Sequence, residues 1–488
     1  MNDIDKFVEY IIDNNTSFQD IDRIYLINRI KGLIGDVTDS DSQTNDILNL
    51  NDALVQTAIE NGKIKDDINA KQNLSDYLMD LETPLPSTVN ETFWNLYQRR
   101  PSKATNYFFR LCQRNNYIKT RSIAKNINFD TPSKYGDLEI NINFLKPEVE
   151  PKMLMHTQKK FNDGYPKCPL CIENEGYTGQ VGLFTKANLR IIRMQLSGET
   201  WCFQFSPFQY FNEHVLFTPA IHKPMEMNQR TFANLLSIVE DFPEYFVGSN
   251  AGLPIVGGTI TAHMHYQGGR HHFPMMDAKI LQNIDLETPG VKLGRVDWPM
   301  TTLRIQSHDP RKIVPVATKL LNFWKGYSDE SVDLRAETNG IQHHTVTPIA
   351  YQNEGEYFLD LVLRDNQTSE KYPDGIFHPH KDVQHIKREG IGLIEVMGRA
   401  VLPGRLGDEL KEVEKYILDQ PNQIAEYHQA WADQIKANHH CTTENIQEVV
   451  TNDLGNVFAR ILEDCGVFKR NSTGDEAFDR FVNKLKEE

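Results

Sequence analysis

Apolar residues recur at helical spacing through the first quarter of the chain. Ile4, Phe7, Val8, Ile11 and Ile12 mark one helix face, and Ile21, Ile24, Ile27 and Ile30 another. Leu74, Tyr77, Leu78 and Leu81 continue the pattern up to the break at Thr83-Pro84-Leu85-Pro86, and Thr92 to Arg99 and Thr105 to Arg114 predict two more helices. The period then falls to two. Leu138 to Phe144 alternates as a strand does, and Leu189 to Met194, Trp201 to Phe205 and Asn212 to Pro224 predict further strands, the last running into a turn. Thr231 to Phe242 reads as an amphipathic helix. Leu253 to Ile260 reads as a glycine-punctuated strand that feeds a histidine-rich run. In the later half, Tyr357 to Arg364 and Gly392 to Gly398 read as strands, with Leu402 to Leu406 as a loop, and the tail from Asp408 is charged and helical. No short-period repeat is visible.

Composition narrows the class. Of the 488 residues, 39% are hydrophobic and 24% charged, as expected of a soluble globular protein with a sizeable core. A formal net charge of −15 argues against a general nucleic-acid binder. The start, Met1-Asn2-Asp3-Ile4-Asp5-Lys6, lacks a signal peptide's basic and apolar regions, and no apolar run approaches the ~20 residues of a membrane span. Six cysteines are too sparse for a disulfide scaffold in so long a chain, so a cytoplasmic protein with reduced thiols is expected.

Candidate chemistry concentrates in Thr261 to Pro274, which holds four of the sixteen histidines. On a strand, side chains two apart share a face, so His263, His265 and Gln267 are expected to project together. Gly268 and Gly269 follow, with no side chains to crowd a ligand. Two imidazoles and an amide beside bare backbone suit a phosphate ester, with one imidazole attacking phosphorus and the other free for a separate task such as metal binding. Upstream, Cys168-Pro169-Leu170-Cys171 has metal-knuckle spacing, and a redox dithiol finds no surrounding βαβ pattern. His214, His222 and His263 are candidate partners for the two thiols. Arg99, Arg100, Arg110, Arg114 and Arg121 could reach a phosphate, although a solvated basic face accounts for each of them as well.

Tyr165 to Cys171, Asn212-Glu213-His214, Gly257 to Pro274, Leu359 to Asn366, Tyr372 to His380 and Gly390 to Leu406 together resemble the class II, bacterial type of galactose-1-phosphate uridylyltransferases, within the histidine-triad superfamily. The resemblance runs over nearly the whole chain. It implies an α+β fold of two HIT-like halves, each a curved, mostly antiparallel sheet flanked by helices, after a helical N-terminal region. The expected divisions are 1–130 for that region, 131–300 for the half with the nucleophile, and 301–488 for the second half and helical tail. It implies transfer of UMP from UDP-glucose to galactose 1-phosphate through a uridylyl-histidine, with His265 as nucleophile and Gln267 hydrogen-bonding the phosphoryl oxygens. By the same resemblance Cys168, Cys171, His222 and His263 bind a structural zinc, and His214 becomes a phosphate contact or a support for one. Asn188 and Arg190, flanking Leu189 and so facing one way, are the expected contacts to the nucleotide, with Asn250, Gly268 and Gly269 beside the phosphates. A homodimer is also implied.

Three positions depart from the family pattern. Met264 stands where an acidic residue is expected, His344 where Asn is expected, and Tyr351 where a basic residue is expected. The first points away from the shared face and leaves catalysis intact. The other two are expected to alter sugar-phosphate binding. Two competing readings are another histidine-triad phosphorylase or hydrolase, and a zinc-stabilised nucleotide-binding protein without turnover.

Overall fold

The computed structural model describes residues 2–36, 44–145, 164–179, 185–258 and 260–488. The chain forms two compact units, each assembled from separated segments. Unit one comprises residues 1–120, 158–209 and 215–222, and unit two comprises 121–157, 210–214 and 223–488.

Unit one begins with the predicted helices α1 (Asp3–Asn14), α2 (Arg23–Ile34), α4 (Ile68–Glu82), α5 (Pro86–Tyr97) and α6 (Pro101–Arg114), together with α3 (Ile47–Glu60), which the apolar spacing did not single out. Local residues set their starts. Asn2, Asp46 and Asp67 accept hydrogen bonds from backbone N–H groups of the first turns of α1, α3 and α4, and Pro86 and Pro101 open α5 and α6. One core forms where Phe7, Ile11, Leu26, Ile30, Leu54 and Leu78 are fully buried; the face expected from Ile21, Ile24, Ile27 and Ile30 is not the buried one, since Ile21 and Ile24 are exposed and α2 turns Leu26, Ile30 and Ile34 inward. A short helix, α7 (Thr120–Ile123), follows α6, and the chain passes into unit two at Arg121, within it.

The rest of unit one is an antiparallel sheet, β3 (Ile192–Leu196), β4 (Glu199–Phe205) and β5 (Val215–Pro219), numbered after two strands of unit two. Phe93 of α5 and Phe108 of α6 pack on Phe203 of β4, each with ring centroids 5.8 Å away. Asn90 and Trp94 of α5 donate to the carbonyls of Ile191 and Arg193, which ties the helices to the sheet edge.

Unit two holds a small sheet and a large one. The small sheet is β1 (Ile127–Thr131), β2 (Leu138–Asn143) and β15 (Arg399–Pro403), with β15 parallel to β2. The large sheet runs in the order β7, β6, β13, β14, β10, β9, β8, with every described pairing antiparallel. Its strands are β6 (Phe246–Gly248), β7 (Tyr266–Gly269), β8 (Ile280–Asn283), β9 (Lys292–Val296), β10 (Thr302–Ser307), β13 (His344–Asn353) and β14 (Glu356–Asp365). The two-residue strands β11 (Glu337–Thr338) and β12 (Ile341–Gln342) pair by themselves. The core beneath includes Trp298, Met300, Ile349, Val362 and Leu393, and the helical tail packs onto it through Leu454, Phe458 and Leu462. The architecture is mixed α+β, as the sequence predicts.

Two predicted strands are not strands. Gly392 to Gly398 contains a short helix, Leu393–Val396, because Glu395 Oε2 accepts the Gly392 N–H and closes the turn; the strand is the following segment, β15. Periodicity cannot separate a short apolar run of this kind into strand or helix. Among its described residues, Leu253 to Ile260 pairs with no strand; Ile255, Gly257 and Gly258 have φ of 73°, 123° and 77°, outside the strand region. Thr259 of that stretch lies outside the described residues.

Glu82, at the end of α4, is fully buried. Arg114 Nε donates to its Oε1 at 3.3 Å, while Oε2 has no hydrogen-bond partner among the described residues. Burial outweighs Arg114 and raises the carboxyl pKa from 4.5 to about 7. Between these two values the folded chain keeps a proton that the unfolded chain has lost, so folding stability contributed by this group falls as pH rises through the interval. Glu82→Gln is therefore expected to raise stability by on the order of 2 kcal/mol above neutral pH and to leave it nearly unchanged near pH ~4, as read by denaturant titration at the two pH values.

Candidate active site and metal-ligand cluster

The nucleophile candidate sits where an irregular segment becomes β7. Ahead of it, Gly257 lies against the 390s turn: a Cβ there would stand 3.2 Å from the Ile391 carbonyl oxygen. Asn250 Oδ1 accepts the Leu393 N–H at 2.9 Å and holds the start of the segment to the same turn. Further on, the Thr261 carbonyl accepts from Met225 N, and Met264 N donates to the Lys223 carbonyl at 2.7 Å. The stretch is pinned at intervals without entering the ladder, and β7 begins only at Tyr266.

His265 is 5% exposed, and its Nδ1 lies 2.9 Å from the carbonyl oxygen of His263. A carbonyl can only accept, so Nδ1 carries the proton and Nε2 keeps its lone pair. Burial lowers the pKa of the ring, which favours the neutral form. A neutral imidazole with Nε2 unprotonated is the form that attacks phosphorus. The buried Met264 presents no polar group between the two histidines.

Gln267 lies on β7 opposite Gly248, and its Oε1 is 3.0 Å from His214 Nε2. His214 is buried, its ring centroid 4.4 Å from that of Phe211, and its Nδ1 has no partner among the described residues. Burial lowers its pKa to about 4. His214 thus faces the glutamine, and its other nitrogen is enclosed. Gly269 is needed by the fold itself: a Cβ there would meet the Glu213 carbonyl oxygen at 2.6 Å. Gly268 pairs with Val247 inside the sheet.

In unit one the predicted knuckle forms. Cys168 and Cys171 place their sulfurs 3.5 Å apart, and Cys171 Sγ is 3.2 Å from His222 Nδ1. A tetrahedral zinc with bonds of ~2.3 Å to sulfur and ~2.0 Å to nitrogen would set these separations at ~3.8 and ~3.5 Å, so the three donors fit such an ion after a shift of a few tenths of an ångström. Asn174 shapes the turn by donating to the carbonyls of Cys168 and Cys171, each at 2.8 Å. The sequence gives one faint sign of that role, an asparagine three positions after the second cysteine. His263 belongs to unit two and is fully buried.

The two residues expected to meet the nucleotide are built into unit one. Asn188 and Asn115 exchange hydrogen bonds, each side-chain amide donating to the other's backbone carbonyl at 2.8 Å. The Oδ1 of Asn188 remains a buried acceptor with no partner among the described residues. Arg190 is 4% exposed, and its guanidinium donates to the carbonyls of Pro84, Thr83, Ala187 and Leu189 and to Asp80 Oδ1. All five N–H groups have acceptors within the protein.

Two of the departures from the family pattern are interior residues of β13. His344 is fully buried, stacks on Trp324 at 3.8 Å, and lies 2.8 Å by its Nδ1 from the Trp324 carbonyl oxygen. Its Nε2 is 2.9 Å from Asp365 Oδ2, at an angle that makes no hydrogen bond. Tyr351 stacks on Phe358 with centroids 4.8 Å apart, beneath the Arg304 guanidinium. Packing accounts for both side chains.

Residues 16–186 match the family described as galactose-1-phosphate uridyl transferase, N-terminal domain, and residues 238–433 match its C-terminal domain. A galactose-1-phosphate uridylyltransferase of Pediococcus pentosaceus is 55% identical over 485 residues, covering 99% of this chain and 100% of that protein. One of Lactiplantibacillus plantarum is 55% identical over 482 residues, covering 99% of each. Among solved structures, yeast Ap4A phosphorylase Apa2 aligns over 72% of this chain and 93% of its own at 10% identity, with a TM-score of 0.34. The chain, alike to its relatives from end to end, belongs to the galactose-1-phosphate uridylyltransferase family.

Proposed function

We propose that this protein transfers UMP from UDP-glucose to galactose 1-phosphate by a ping-pong route, with His265 as the nucleophile. The observation that carries the reading is the pairing of His265 Nδ1 with the His263 carbonyl, which leaves Nε2 as a lone-pair donor two residues before Gln267. Full-length identity to relatives named for this activity supports the substrates. In the first half-reaction, Nε2 bonds to the α-phosphorus of UDP-glucose, the bond from that phosphorus to the bridging oxygen breaks, and glucose 1-phosphate departs. In the second, a phosphate oxygen of galactose 1-phosphate bonds to the same phosphorus, the histidine leaves with its electron pair, and UDP-galactose forms. Two easier displacements replace one. The Gln267 amide donates to the phosphoryl oxygens, where charge shifts most in the transition state. Asn188, through its unpartnered Oδ1, and Asn250, through its Nδ2, are the proposed contacts to the nucleotide and its phosphates. The family resemblance supports a homodimer in the cytoplasm.

Zinc is proposed as a structural ion held by Cys168, Cys171 and His222, with His263 as the fourth donor. The support is the convergence of three soft or borderline ligands, which leaves one tetrahedral position for another imidazole. When bound, the ion cross-links these donors, with no position left open for substrate.

His265→Ala is expected to keep the unfolding temperature of the wild type, to form no uridylyl adduct with UDP-glucose by intact mass, and to lose exchange between UDP-glucose and glucose 1-phosphate. Near-normal exchange by this variant would overturn the assignment. Gln267→Ala should form the adduct about a hundredfold more slowly, the loss of on the order of 3 kcal/mol of transition-state stabilisation. Elemental analysis of the purified protein should find about one zinc per chain. Cys171→Ser should lower that content and the unfolding temperature together; unchanged metal content would remove the cysteines from the site.

A further inference from the structure

A glutamine that stabilises a phosphoryl group has an orientation problem. The two ends of its amide are nearly equal in size, yet one donates and the other accepts. With the NH2 end toward the phosphate, the residue stabilises the developing negative charge. With the carbonyl end there, it repels that charge. Something has to hold one orientation.

We propose that His214 is a positioning residue for uridylyl transfer, donating Nε2–H to Gln267 Oε1 so that the glutamine presents its NH2 group, and not its carbonyl, to the phosphoryl oxygens. The inference rests on the function proposed above and extends it to a residue that need not touch substrate.

The distance of 3.0 Å and the chemistry of the pair fix the roles. An amide oxygen can only accept, so Nε2 must be the donor. The other tautomer would set an Nε2 lone pair against the Oε1 lone pairs, and it would also bury an Nδ1–H where Nδ1 has no partner among the described residues. The protonated ring is disfavoured by burial, which takes its pKa to about 4. The ring itself is held in place by Phe211 at 4.4 Å and Tyr210 at 5.5 Å between centroids.

The Asn212-Glu213-His214 motif is built to deliver that ring. Glu213 takes a left-handed conformation, φ 53°, which is uncommon for a residue with a side chain. Its carboxylate accepts from Tyr245 Oη and lies 3.5 Å from Arg270 Nη1, while Asn212 Nδ2 donates to the Arg270 carbonyl at 3.3 Å. Arg270 follows β7 directly. Gly269 lets the motif lie flush against that strand, since a Cβ would strike the Glu213 carbonyl oxygen at 2.6 Å and the Phe211 ring at 2.7 Å. The segment that carries His214 is therefore fastened to the end of the strand that carries Gln267, and the two side chains meet in a fixed register.

The test is the first half-reaction, followed as adduct formation from saturating UDP-glucose in a single turnover. His214→Phe keeps a ring between its aromatic neighbours and removes the donor; it should slow adduct formation about tenfold or more, with little change in the UDP-glucose concentration that gives half the maximal rate. His214→Gln, whose Nε2 can stand near the imidazole Nε2, should recover most of the loss. In a Gln267→Ala background, His214→Phe should cost nothing further. Additive losses, or a wild-type rate for His214→Phe alone, would overturn the proposal. A measurement on the wild-type protein stands apart from folding of any variant: 15N NMR of histidine-labelled protein should show His214 as the neutral Nε2–H tautomer, and an Nδ1–H tautomer would refute the pairing. If the wild type forms no uridylyl adduct, the proposed function fails; the NMR result would still decide whether the pair exists.

Discussion

The hydrogen bond from His265 Nδ1 to the carbonyl of His263 sets the chemistry of the site, because it decides which imidazole nitrogen carries the proton. A carbonyl two residues back can reach that nitrogen only if the backbone between them is held in one conformation. Much of unit two serves this requirement. Met264 N is tied to the Lys223 carbonyl, Thr261 O to Met225 N, and Asn250 to the Leu393 amide. Left-handed glycines carry the chain between these ties, and β7 receives it at Tyr266. A regular strand through the two histidines would have turned their carbonyls toward neighbouring strands and left the tautomer to solvent.

The same economy of polar groups shapes the surroundings. Arg304 and Asp360 form a buried ion pair, with both carboxylate oxygens accepting at 2.8 Å, and the guanidinium also reaches carbonyls of Met275, Met276 and Ala278. Arg190 does the same in unit one with four carbonyls and a carboxylate. Breaking such a cluster by removing one partner is far costlier than any surface pair, since the remaining groups stay desolvated. His344 and Tyr351, the residues that depart from the family pattern, belong with the packed interior and take their place by stacking on Trp324 and Phe358.

Much of the architecture was legible in the chain. A period near 3.6 marked the helical region, because that signal acts within a few residues, although it did not pick the buried face of α2, and the caps at Asn2, Asp46 and Asp67 and the prolines that open α5 and α6 emerge with the structure. The knuckle spacing of Cys168 and Cys171 was visible for the same reason, whereas the strand expected to align residues 263, 265 and 267 begins only at Tyr266. The amphipathic helix near 231–242 and the strand near 357–364 likewise appear, within a residue or two of their predicted ends.

Long-range contacts decided the rest. No pattern near Arg190 says that Pro84, Thr83 and Asp80 will surround it, since those partners lie more than a hundred positions away in the chain. The same limit hid the tie between Asn250 and Leu393, 143 residues apart. It also hid the role of the Asn212-Glu213-His214 motif, which makes sense only once Gly269 allows it to lie against β7. The run from Leu253 looked like a strand because apolar residues and glycines suit one, yet strand formation also needs a neighbour with free backbone groups, and no periodicity records that. Sequence alone thus determined which residues could do the chemistry, through side-chain type and short spacing; the tertiary structure decided which of them kept a free donor or lone pair, because that depends on acceptors brought from far along the chain.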